Sequence, residues 1–269
     1  MNSPPNPTQE DVVHSWHVRA DAYNALIGRW SIFTDMVERL LDFAPKEFSG
    51  HALDIAGGSG LLAEQLLVRF PKASVMLVEP AEGMRVLARR RLGNQIKIRD
   101  VVGDKLERLS VFADAAFCSA SFHLMNEETT LSSIASVLKP GAVFAANCWG
   151  HSFDEAVDLN QKVEWTSFVD QALSEYDQAP MHWPEKLKTK IKSAEGLRKI
   201  GKVCGLQLLE ANIMTVDVDT KFNIEFAAMD PCFLHQVSAD IRKSVLERAL
   251  NLCHGTDTIS VVDLKFQKV

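Results

Sequence analysis

LDIAGGSG, residues 53–60, is a short apolar run broken by an acid and followed by three glycines within four positions. Glycine reaches backbone conformations that other residues avoid and lets a ligand lie close to the main chain. Such a turn suits a nucleotide-like ligand, and two chemistries share it. Gly58, Gly60 and Ala63 satisfy the dinucleotide pattern G-x-G-x-x-G/A, and Glu79 lies roughly 20 residues on, where an acid grips ribose hydroxyls. That reading is an NAD-dependent oxidoreductase. Asp54 tilts the choice away from it, because a carboxylate just before the loop repels a pyrophosphate and attracts a cation. Asp104, after Gly103, adds a second acid that suits a ligand amino group better than a phosphate.

Around the loop the pattern alternates. HALDIA (51–56) reads as a strand and 61–70 as a helix stopped by Pro71. Residues 73–79, 95–102, 114–120 and 142–149 read as further strands. Helices are expected at 81–92, ended by Gly93-Asn94, and at 127–138, closed by the tight turn Lys139-Pro140-Gly141. Strands alternating with helices predict right-handed crossovers and a mostly parallel sheet covered on both faces, a doubly wound α/β fold. Ahead of it, 10–43 reads as helical, with Trp30, Phe33, Met36, Val37, Leu40 and Leu41 on one stripe and Pro45 as its stop. After residue 150 the alternation breaks. A helix is expected at 194–204, a strand at 206–218, a helical stretch at 222–253 interrupted at Asp230-Pro231, and a closing strand at 259–269. The expected division is a tail and helical lid over 1–45, a cofactor-binding core over 46–150, a helical cap over 151–193, and the rest of the core over 194–269.

The chain has 269 residues, a net charge of −6, 46% hydrophobic and 24% charged residues. This suits a globular α/β unit with insertions. Nucleic acid is disfavoured as a partner, because phosphate contacts need a basic face. The run Arg89-Arg90-Arg91 reads as a solvated helix end, where cations suit the helix dipole. The five cysteines show no CxxC pair and no zinc spacing, so reduced thiols of a cytoplasmic protein are expected. No apolar run approaches the ~18 residues of a membrane span, and the polar start has no secretory signature. Neither a membrane nor a metal is expected as a partner, and a homodimer is left open.

HALDIAGGSG (51–60), MLVEPAEGM (76–84), VVGDKLERL (101–109), ADAAFCSASFHLM (113–125) and LKPGAVFAANCW (138–149) stand in an order and spacing that resemble the class I S-adenosylmethionine-dependent methyltransferases. The resemblance covers about residues 10–150. It implies a seven-stranded Rossmann-like sheet with its last strand antiparallel, and S-adenosyl-L-methionine as cofactor. It also implies roles. Asp54 and the backbone of Ala56, Gly57, Gly58 and Gly60 would hold the methionine part. Glu79 would take the ribose hydroxyls, and Pro80 next to it would border the cofactor. Met84 would pack on adenine, Asp104 after Gly103 would accept from adenine N6, and Lys105 would contribute its backbone. Ser119 would line the sulfonium site and Tyr23 would close over the cofactor. Met84 serves equally well as helix core. Ala56 replaces the first glycine of the family's loop, and a tighter loop with binding retained is expected.

The expected reaction is methyl transfer to a small, partly apolar molecule. His123, after the fourth strand, is the first candidate base, because an unperturbed histidine titrates near neutrality. His151 is the second. Trp16, Arg19 and Tyr23 share a helix face read as the lid's inner surface. Trp149, Trp165, Tyr176 and Trp183 would build an aromatic acceptor pocket. Ser119-Ala120-Ser121-Phe122 stands where amide-methylating relatives carry an Asn/Asp-Pro-Pro-aromatic motif, so that substrate class is not expected. Three other readings stay open: use of the cofactor for a non-methylating reaction such as cyclisation, an NAD enzyme, and a non-catalytic partner subunit.

Overall fold

The computed structural model describes residues 8–159, 164–181, 192–230 and 233–269. Among these, strands β1 (His51–Ile55), β2 (Ser74–Val78), β3 (Lys97–Arg99), β4 (Ala113–Cys118), β5 (Leu138–Trp149), β6 (Leu206–Asp219) and β7 (Thr256–Lys268) form one sheet in the order β3-β2-β1-β4-β5-β7-β6. Neighbours are parallel except where β7 runs antiparallel to β5 and β6. The helices are α1 (Gln9–Arg29), α2 (Ile32–Leu41), α3 (Leu61–Arg69), α4 (Glu82–Leu92), α5 (Glu127–Val137), α6 (Trp165–Ser174), α7 (Ala194–Cys204), α8 (Thr220–Ala228) and α9 (Ala239–Leu252). From β1 the chain steps outward to β2 and β3, then returns to β4 on the other side of β1. That reversal leaves a crevice at the carboxyl ends of β1 and β4, the usual ligand position in such sheets.

The period of two along each strand sorts the two faces. Leu53 and Ile55 join one buried cluster with Phe144 and Phe266, while Ala52 joins the other, under α2, α3 and α4. Asp54 has the parity of Ala52 and therefore points toward α3.

The single helix expected over 10–43 is two. Thr8 and Asp11 start α1 with reciprocal side-chain-to-backbone hydrogen bonds of 3.2 and 2.8 Å. Trp30 ends it with an extended backbone at φ −113°, and α2 begins two residues on. The break lets α1 lie across α4 while α2 covers α3 and β5. Glu225 of α8 fastens it, accepting from Trp30 Nε1 at 2.9 Å and pairing with Arg29. The turn expected at Lys139-Pro140-Gly141 lies within β5, whose register against β4 shifts between Ala113 and Ala115 to absorb it. At the sheet edge β3 is shorter than expected. A separate apolar cluster joins α6, α8 and α9 through Phe168, Leu173, Phe233 and Val245.

Candidate active site

A cavity of about 410 Å³ lies at the carboxyl ends of β1, β2 and β4, within the range of small-ligand sites. Its floor is the loop after β1. Ala56, Gly58 and Gly60 all take positive φ, at 51°, 54° and 87°. At Gly57 a Cβ would stand 2.6 Å from Asp54 Oδ2 and 2.7 Å from Leu77 Cγ. At Gly60 it would stand 2.7 Å from Leu92 Cδ1, on top of an unfavourable backbone conformation. Gly58 is open, and its missing side chain leaves the main chain bare to the cavity. Ala56 adopts the left-handed conformation despite its Cβ. Gly60→Ala is expected to lower stability by about 2–4 kcal/mol, combining strain and overpacking, whereas Ala56→Gly changes it by less than about 1 kcal/mol. Thermal unfolding of the two variants checks the contrast.

Asp54 is fully buried. Its Oδ2 accepts from Ala63 N at 3.0 Å, closing an open donor in the first turn of α3. Its Oδ1 is enclosed with no hydrogen-bond partner. Burial raises the Asp54 carboxyl to about 7, against the pull of the Ala63 N–H and with a further push from Glu79. Glu79, at the end of β2, accepts from Gly58 N at 3.0 Å and from Ala81 N at 2.7 Å. Burial lifts it too to about 7. The corner beneath it is tied by Arg85, which donates to the carbonyls of Glu79 at 3.0 Å and Pro80 at 2.6 Å and pairs with Asp100 at 3.0 Å. Glu79 keeps free lone pairs on both oxygens, because each takes one backbone donor and a carboxylate offers about four acceptor positions.

Pro80, Met84, Gly103 and Asp104 also line the cavity. Asp104 Oδ1 accepts from Gln9 Nε2 at 3.3 Å, so the first residue of α1 reaches the third acid. Lys105 stays off the wall, and its backbone N–H is taken by Val102 O at 3.0 Å. Ser119 is on the wall, with its hydroxyl donating to Asn147 Oδ1 at 3.3 Å.

Asn147 was not anticipated. It is fully buried in β5, accepts from Ala120 N at 2.8 Å and donates to Met36 O at 2.9 Å. It thereby holds Ala120, itself at φ 53°, in the strained corner after β4. One polar residue inside the apolar run AVFAANCW was the available signal. Asn147→Leu is expected to cost about 2–5 kcal/mol by stranding buried backbone groups, read as a large fall in melting temperature.

Among the acceptor-pocket candidates, Trp16, Tyr23 and Trp149 line the cavity. Burial and the charge of Glu79 raise the Tyr23 hydroxyl, which stays a donor. Arg19 is off the wall, 5.9 Å from the Trp16 ring centroid and 3.6 Å from Asp230. Trp165 packs with the α6–α9 cluster, and Tyr176 is exposed after α6. No described residue of 151–193 lines the cavity, and Trp183 lies outside the described residues. The roof is α1 together with Phe226 of α8, because the second half of the chain folds α6 onto α9 instead.

His123 is on the wall, with Nδ1 enclosed and unpartnered. Burial first, then His151 and Lys192, push it down to about 3. It is neutral at ordinary pH, so the expectation of a base titrating near neutrality is not met. His151 sits outside the wall, exposed, with its ring 6.3 Å from that of His123. Sequence reasoning also missed Phe33, Met125, Thr130 and Phe226, whose positions on the wall depend on long-range packing.

Residues 52–141, which hold every strand-end acid of this cavity, match the family described as methyltransferase domain. The chain carries a methyltransferase domain. That match favours the methyltransferase reading of the glycine loop over the NAD one. None of the curated proteins matches the sequence. The structure is similar to the [4+2]-cyclase SpnF, with 16% identity over 98% of this chain and 97% of that one and a TM-score of 0.62. It is also similar to geranyl diphosphate C-methyltransferase of Streptomyces coelicolor in complex with Mg2+, geranyl diphosphate and S-adenosylhomocysteine, with 14% identity over 99% and 100% of the chains and a TM-score of 0.54. Identities this low establish the fold of the methyltransferase domain and its surroundings, not the acceptor. Among the described residues no group of three or more His, Cys, Asp or Glu is placed to hold a metal, and no helix is long and apolar enough to cross a membrane.

Proposed function

We propose that the protein methylates a small, partly apolar molecule with S-adenosylmethionine. One arrangement carries the reading: Asp54, Glu79 and Asp104 stand at the ends of three successive strands around one cavity, beside a loop whose Gly58 leaves the backbone bare. The unpartnered Oδ1 of Asp54 and the enclosed, unpartnered hydroxyl of Ser59 fit a ligand that brings hydrogen-bond donors and positive charge. When bound, the cofactor supplies an activated methyl group on a sulfonium.

The residues present would divide the work as follows. Asp54 would attract the cationic methionine part, and Glu79 would accept from the ribose. Met84 and Pro80 would cover adenine, with Asp104 accepting from its amino group. Ser119 and the Asn147-held corner would define where the acceptor meets the methyl. Trp16 and Tyr23 of α1 would exclude water, which favours alignment of the reacting pair. His123 would act as a neutral hydrogen-bonding wall residue. His123→Gln is therefore expected to keep turnover within about tenfold, with no new limb in the pH profile between 5 and 8.

Calorimetry against S-adenosylmethionine and NADH tests the cofactor, and product analysis tests the reaction. S-adenosylhomocysteine supports transfer, whereas methylthioadenosine or binding of NADH alone refutes it. The likeness to a [4+2]-cyclase favours one second reading, a cyclisation in which the cofactor stays whole. Unchanged cofactor beside converted substrate would identify it. A small-molecule substrate rather than nucleic acid accords with the net charge of −6. A cytoplasmic setting is supported by the free cysteines at 118, 148, 204 and 253. A homodimer fits this reading as well as a monomer does, and light scattering gives the mass.

A further inference from the structure

Five aromatic rings line the cavity as one continuous arc. Trp16 meets Tyr23 at 5.3 Å between centroids, Tyr23 meets Phe33 at 5.5 Å, Phe33 meets Trp149 at 6.0 Å, and Trp149 meets Phe226 at 5.4 Å, each edge to face. The rings come from α1, α2, β5 and α8, so four separate parts of the chain converge on one wall. The charges on that wall have one sign. Asp54, Glu79 and Asp104 line it, and no described Lys or Arg does. Three cations close by are turned to other partners, Arg19 to Asp230, Lys192 to Glu127, and Arg85 to Asp100 and the carbonyls of Glu79 and Pro80. Ring faces and carboxylates both attract positive charge, and carboxylates repel anions.

Resting on the methyltransferase reading, we propose that the acceptor is an amine with an apolar body and that anionic acceptors are turned away. With the three carboxylates ionised, S-adenosylmethionine brings too little positive charge to balance them, so the wall stays negative with the cofactor in place. The apolar body would lie along the arc and the amine would enter as an ammonium; once its proton has passed to water, the nitrogen lone pair would attack the methyl carbon as the carbon–sulfur bond breaks, leaving the neutral thioether of S-adenosylhomocysteine. A methylated amine is itself a cation near neutral pH, so the product suits the same wall. A phosphate or carboxylate acceptor would enter against like charges with no described cation to meet it.

Calorimetry of the full chain saturated with S-adenosylhomocysteine tests this with three probes that share one ring: phenethylamine, 2-phenylethanol and phenylacetate. The amine is expected to bind at least tenfold more tightly than phenylacetate, with the alcohol between them. Raising salt should narrow the gap. Phe226→Leu, checked for folding by its melting curve, should weaken the amine at least threefold more than the alcohol. Equal binding of amine and alcohol would mark a neutral acceptor and overturn the proposal. So would tighter binding of phenylacetate, or no measurable binding of the amine. Failure of S-adenosylhomocysteine to bind would instead sink the methyltransferase reading, and the three probes on the protein alone would still decide the charge preference.

Discussion

Asp54→Asn is expected to weaken S-adenosylmethionine binding by roughly 10- to 100-fold while the protein melts within a few degrees of the parent. The two effects separate because the two carboxylate oxygens do different things. Oδ2 serves the fold, accepting the Ala63 N–H at 3.0 Å, and an amide oxygen can take that bond over. Oδ1 is enclosed without a partner in the ligand-free protein, and the substitution replaces a charged acceptor there with a neutral donor. A hydrogen bond to a charged group is worth about 1.5–3 kcal/mol, which converts to the stated range. Asp54→Ala removes both oxygens, so it should lose binding and also about 1 kcal/mol or more of stability through the open helix start. If the Asn variant binds as tightly as the parent, Asp54 is a helix cap and nothing else.

Binding should also rise steeply with pH. Asp54 and Glu79 are both raised to about 7 by burial in the ligand-free protein, and the charge of Glu79 raises Asp54 further. A cationic ligand prefers both ionised. Between pH 6 and pH 8 the affinity for S-adenosylmethionine should therefore increase, by up to about tenfold for each carboxyl that must lose its proton. Stability of the ligand-free protein should run the other way. Folded-state values above the unfolded ones of 3.8 and 4.5 mean that this stabilisation is complete at low pH and is lost as pH rises through about 7. The ligand-induced rise in melting temperature should accordingly be larger at pH 8 than at pH 6. Calorimetry in two buffers with different ionisation heats should register proton release on binding. A flat affinity across this range would mean that the carboxyls stay charged when the site is empty.

Much of this site could be read from the chain because its parts are local. The acid before the glycine loop lies at the end of β1, Glu79 directly follows β2 and the Gly-Asp comes after β3, and the sheet order brings strand ends together. Asp54's aim toward α3 follows from parity along β1. The break between α1 and α2 could not be read, because the apolar stripe continues through Trp30 and Phe33 and only Glu225, nearly two hundred residues away, fixes it. Trp165 and Trp149 are equally aromatic, yet one packs with α9 and the other lines the cavity. Nothing local distinguishes them. The depressed basicity of His123 likewise depends on burial and on Lys192, which reaches Met125 O at 2.9 Å from far along the sequence.

The order of the sheet has a consequence during synthesis. β5 leaves the ribosome with one edge on β4 and the other open, and its second neighbour, β7, pairs with Val143–Trp149 only when residues 261–267 emerge. More than a hundred residues are made in that interval. Phe226, which closes the cavity, also arrives late. A nascent chain that already contains every strand-end acid thus still lacks an enclosed pocket and carries an unpaired strand edge, a feature prone to wrong pairing. Chaperone demand should peak in that window, and ligand added during translation should protect the chain only after its final strand has docked.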